Sequence, residues 1–129
     1  LAEESLVREA ISRMLRDAAT TYTEPSRPQG CMVVMAATNF AQENEEVAAW
    51  LAVHRRQRTQ SIIDRLQRAM DEGELRKDAD VQSLGDFYAT HLHGISVQAR
   101  DGVSRPRLLA ASATAMGVLD QALCPALKP

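Results

Sequence analysis

The stretch from Asp80 to Gly102, DVQSLGDFYATHLHGISVQARDG, reads as one helix of about six turns with apolar groups on two opposite faces. Its main stripe is Val81, Leu84, Tyr88, His91, Leu92, Ile95 and Ala99, and roughly opposite lie Phe87, Thr90, Gly94 and Val97. A helix buried on one side needs a single stripe. A second stripe needs a second partner, and one copy of the chain is short of helices to supply it. The helix is therefore expected to serve two neighbours, one inside its own copy and one outside it.

The last helix repeats the two-faced design. Ser104 is placed to cap it, Pro106 is tolerated in its first turn, and Pro125 and Pro129 bound a short tail. Leu108, Ala111, Ser112, Ala115, Leu119 and Ala122 form one side, and Ala110, Ala113 and Gly117 the other. Small residues let backbones approach closely. A contiguous apolar face left over from the core usually marks an interface. Phe87, Thr90, Gly94, Val97, Ala110, Ala113 and Gly117 are thus expected at a two-fold homodimer interface. There the last two helices of each copy would form a four-helix bundle. The plain alternative is that alanine simply favours helix and tolerates water.

The rest of the chain is read the same way. Leu6, Val7, Ala10, Ile11, Met14, Leu15 and Ala18 recur at helical spacing, with Glu9, Arg13 and Asp17 outside. A polar loop from Thr20 to Gln29 carries Pro25 and Pro28. Gly30 to Ala41 is apolar all round, and a lone strand there would leave its backbone unpaired, so a short buried helix is expected. Asn44 is a plausible cap for a long helix ending near Glu72, with Gly73 as its left-handed stop. On that helix Val47, Trp50, Leu51, His54, Arg58, Ile62 and Leu66 fall on one side. Glu74 to Ala79 reads as a charged turn, and Asp80 as the next cap. The expectation is an all-α bundle of about five helices in one domain, residues 1–129.

Composition removes several classes of function. A formal charge of −2 lacks the basic excess of a dedicated nucleic-acid binder. No apolar run approaches a membrane span, and no secretory signal opens the chain, so a cytoplasmic protein is expected. Cys31 and Cys124 lie far apart without metal-ligand spacing and are expected to be reduced thiols. His91 and His93 are two apart, which sends them to different sides of a helix. No HExxH, CxxC or phosphate-binding glycine loop occurs, and no cofactor, metal or enzymatic activity is expected. Arg55, Arg56, Arg58, Arg65 and Arg68 are expected on a solvated outer face.

One further set remains. Trp50 and His54 sit one turn apart, as do Tyr88 and His91 in a neighbouring helix, while Met32 and Met35 offer adaptable apolar walls. Together they suit a small apolar cavity with a few hydrogen-bonding groups. They suit equally a packed core with satisfied histidines.

With these residues in view, the chain resembles the C-terminal regulatory domain of TetR-family (tetracycline-repressor-like) transcriptional regulators. The resemblance rests on Pro28-Gln29-Gly30-Cys31-Met32 and on His54-Arg55-Arg56, with the long helix closing in Glu72-Gly73-Glu74-Leu75. It continues through Asp80, His93-Gly94-Ile95-Ser96-Val97 and Ala99-Arg100-Asp101-Gly102, and covers nearly all of Ala10 to Leu123. It implies an all-helical domain that binds a small apolar or aromatic effector and dimerises through its last two helices. It also implies operator DNA as a partner, but only through an N-terminal helix-turn-helix domain that is expected to be missing from this chain. The family's ligand residues are not fixed by a motif, so the pocket candidates stay Met32, Met35, Trp50, His54, Tyr88 and His91. A stand-alone helical interaction module without ligand or DNA is the alternative.

Overall fold

The computed structural model describes residues 6–26 and 45–129. Among these, four α-helices follow one another: α1 (Val7–Tyr22), α2 (Glu45–Asp71), α3 (Val81–Arg100) and α4 (Arg105–Ala122). A 3-10 turn, Pro125–Leu127, closes the chain. The described architecture is all-helical, as expected. The short apolar helix at Gly30–Ala41, the Asn44 cap, Cys31 and the two pocket methionines lie outside the described residues.

Local chemistry sets the ends of these helices. Asp80 accepts the Ser83 N–H at 2.9 Å and the Ser83 hydroxyl at 2.7 Å, which starts α3. The same bonds hold the Asp80 carboxyl below its usual range. Both α2 and α3 end in a Schellman arrangement around a left-handed glycine. Gly73 has φ 82° and Gly102 has φ 88°. Glu74 N–H reaches Ala69 O at 2.8 Å and Gly73 N–H reaches Met70 O at 3.1 Å; Val103 and Gly102 make the equivalent pair to Gln98 and Ala99. Ser104 precedes α4 as expected, yet its side chain makes no capping bond.

α3 is the central element, packing against α1, α2 and α4. Its approach to α2 is close at Gly85, where an added Cβ would lie 2.2 Å from Ile63 Cγ1. The core holds Ile11, Leu15, Ile62, Leu66, Tyr88, Leu92, Ile95, Leu108, Leu119 and Leu123. The α2–α3 turn is stitched to the end of α4. Leu75 bridges to Leu123, Arg76 N–H donates to Ala122 O, and Cys124 N–H donates to Glu74 O.

Several expectations are corrected here. α1 continues through Thr20 and Thr21 to Tyr22, three residues into the expected loop. Leu6, at the N-cap of α1, is 54% exposed and not part of the buried stripe. Arg65 is buried and not on a solvated face, and Glu74 lies in the expected charged turn but is buried as well. They face each other at 3.5 Å, which is why two charges can leave water together. Ala111 is exposed, one position off the buried stripe of α4. On α2, Val47 and Trp50 are exposed at 52% and 59%, so that helix is covered mainly along its second half.

Candidate functional site

The functional candidates fall on two faces of α3. The inner face is closed by Tyr88, which is fully buried. Its hydroxyl donates to Ala115 O at 2.9 Å and accepts from Leu119 N–H at 3.1 Å. Ala115 and Leu119 are four apart, so the phenol oxygen is inserted into the hydrogen-bond ladder of α4 and ties the two helices together. Burial is the main cause that pushes the Tyr88 pKa up to about 12.

His91 is half-buried, its Nε2 lying 3.3 Å from the Ser112 hydroxyl of α4. Burial lowers its pKa, and the ring lies nearly parallel to Phe87 with centroids 6.4 Å apart. His93 points towards α2. Burial lowers its pKa first, and Arg58 and Arg55 lower it further. Its Nε2 is buried without a hydrogen-bond partner among the described residues. Sequence reasoning weighed His93 only as a metal ligand and missed this position.

Trp50 and His54 do come together, with ring centroids 3.9 Å apart, but both are exposed on the first half of α2. The structure thus joins Trp50 with His54 and groups Tyr88, His91 and Phe87 elsewhere. No described cavity is lined by both sets. A cavity of about 440 Å³ opens between Arg76, Asp80, Ser83, Leu84, Phe87, Val118, Gln121 and Ala122. A second, of about 490 Å³, is bounded by Thr23 to Pro25 and Gly102 to Arg105. Among the described residues no cluster of His, Cys, Asp or Glu could hold a metal ion. None of the described helices is long and apolar enough to cross a membrane. Cys124 is a half-buried free thiol.

The outer face is open. Phe87 is 38% exposed and Thr90 is exposed, with Gly94 and Val97 half-buried. Across from them on α4, Ala110, Ala113 and Gly117 are exposed, and Val118 joins them at 38%. An added Cβ at Gly94 or Gly117 would meet nothing within 4 Å. Five of the seven expected interface residues are thus exposed and two half-buried. Val118 lies on the exposed side of α4 with Thr114 and Gln121, a larger apolar group that the alanine pattern did not single out.

Known proteins share this fold. The description "Tetracyclin repressor-like, C-terminal domain" fits residues 7–116. A cysteine mutant of the TetR family transcriptional regulator CifR, complexed with 26 bp double-strand operator DNA, is 37% identical with a TM-score of 0.83. That likeness covers 88% of this chain and 59% of CifR. A Rhodococcus sp. RHA1 protein assigned to the TetR transcriptional regulators is 26% identical with a TM-score of 0.77, over 94% of this chain and 63% of that one. The HTH-type transcriptional repressor ComR of Escherichia coli (strain K12) is 24% identical over 114 residues. Those residues make up 88% of this chain and 54% of ComR, so the chain spans about half the length of that relative. By residues, fold and relatives alike, the chain belongs to the tetracyclin repressor-like C-terminal domain family.

Proposed function

We propose that this chain is the effector-binding and dimerisation part of a TetR-like transcription regulator in the cytoplasm. Its operator-reading half would lie upstream in a longer protein. The observation that carries the reading is the open outer face of α3 and α4, whose Phe87, Gly94, Val97, Ala110, Ala113, Gly117 and Val118 present small and apolar groups. A second copy related by a two-fold axis buries that face against itself. No catalytic role is needed for it.

The effector in this reading is a small apolar or aromatic molecule. Trp50, His54 and His91 remain its polar and aromatic contacts, with Met32 and Met35 as apolar walls. Tyr88 is fully buried and its hydroxyl already donates once and accepts once, so its part is to hold α4 against α3 behind the pocket. Control is by linkage: an effector that prefers one geometry of the pair shifts operator affinity by the same free energy. Thermal-shift screening with apolar and aromatic compounds, followed by Trp50 fluorescence, tests it. A compound that raises the melting temperature and changes Trp50 emission is the expected result. A dimer that no compound stabilises would favour the interaction-module reading.

A further inference from the structure

α1 starts at Leu6, whose side chain makes no capping bond, yet its first amide is satisfied from far away. Val7 N–H donates to Glu74 Oε2 at 2.5 Å, across 67 residues of sequence. The other oxygen of that carboxylate, Oε1, faces Arg65 Nη2 of α2 at 3.5 Å, with both side chains almost wholly buried. One residue along, Arg8 donates through Nε and Nη2 to the two oxygens of Asp120 on α4, at 2.6 and 3.1 Å. The backbone of Glu74 is also tied to the end of α4, accepting from Cys124 N–H at 2.9 Å. Two consecutive residues of α1 are thus held by two carboxylates, one at the α2–α3 turn and one on α4.

Core packing does not require charge at this place. A buried ion pair adds little net stability over apolar residues of the same volume, so its use is better sought in geometry. A carboxylate on a first-turn N–H also complements the positive end of the helix. Such a tie is either made or broken, whereas an apolar contact can slide. Leu6 is also where the chain enters the described bundle.

We propose that Glu74 and Asp120 are positioning residues that fix how the chain enters α1 relative to α4, and so how the two upstream halves of a pair are held. Arg65 and Arg8 are their counter-ions. A movement of α4 at the interface reaches the chain upstream of Leu6 through this joint. The inference rests on the reading above, in which the upstream half reads DNA and α3 and α4 form the pair.

The test uses the full-length protein with one nitroxide label on its upstream half and pulsed-EPR distances between the two copies. Wild-type protein should give one narrow distance distribution. The Glu74→Gln, Asp120→Asn double variant should broaden it to about twice that width while sedimenting as a dimer. Asp120→Asn alone, at a half-exposed site, should broaden it partway even if the double variant folds poorly. Asp120→Glu, which keeps the charge, should restore the narrow distribution. Leu15→Ala, in the core of α1, controls for plain loss of stability and should leave the width unchanged. Wild-type width in both charge-removing variants overturns the proposal and leaves pairing intact. A full-length protein that sediments as a monomer overturns both.

Discussion

The two faces of α3 are built from the same helix and turn out differently. On the inner face Val81, Leu84, Tyr88, Leu92, Ile95 and Ala99 are all buried within one copy. On the outer face Phe87 and Thr90 stand exposed beside half-buried Gly94 and Val97. Apolar periodicity alone does not separate them, since both repeat at helical spacing. Cover does. The inner face is packed against the other helices of the same copy, and the outer face, large Phe87 and small Gly94 alike, is not fully covered within it.

The inner face should be costly to disturb. Leu92→Ala, at 5% exposure, is expected to lose about 2–4 kcal/mol in urea unfolding, through lost burial and the cavity left behind. A loss below that range would mean the inner face is loosely packed and the contrast is weaker than drawn. Gly85→Ala comes next. Its new Cβ would lie 2.2 Å from Ile63 Cγ1, so α2 or the Ile63 side chain must give way. About 1–3 kcal/mol of overpacking should exceed the gain of up to about 1 kcal/mol from replacing a helical glycine.

Tyr88→Phe is smaller, about 1 kcal/mol near neutral pH, because the α4 ladder can close once the hydroxyl is gone. Its pH signature is sharper. The folded pKa of about 12 lies above the usual 10, so the folded state holds the phenol proton more tightly than the unfolded chain. That stability is fully present below pH 10 and is lost as pH rises towards 12. The phenylalanine variant should lack this part of the alkaline slope in chemical denaturation. On the outer face, Thr90→Ala should change stability by less than about 0.5 kcal/mol, measured where pairing is blocked by Gly94→Arg.

Much of the fold could be read from sequence where the controlling contacts are local. Asp80 starts α3 through Ser83, three residues away, and Gly73 and Gly102 stop their helices by a backbone conformation that glycine adopts freely. The Arg65–Glu74 pair could not be read in this way. Its partners belong to a helix and the turn beyond it, and its purpose emerges only when Val7 arrives from the far end of the chain. An arginine in a run of arginines looks solvated until a buried carboxylate is found opposite.

The two site predictions differ for the same reason. The proposed interface residues are grouped by spacing along each helix, and the structure leaves five of the seven exposed and two half-buried. Trp50 and His54 also share a face, but their exposure depends on what covers the first half of α2, which periodicity does not record. Tyr88 was legible as a buried aromatic and not as a hydroxyl inserted into another helix, because Ala115 and Leu119 offer only backbone groups to it.

Sedimentation velocity on this chain and its Gly94→Arg variant bears on the contrast between the two faces of α3. A side chain added at Gly94 points into open space in a single copy, so the variant should fold and melt like the parent when both are dilute. In a pair joined through α3 and α4 the same arginine falls between two backbones. The account predicts a dimer for the parent and a folded monomer for the variant. A monomeric parent, or a variant that remains a dimer, would contradict it.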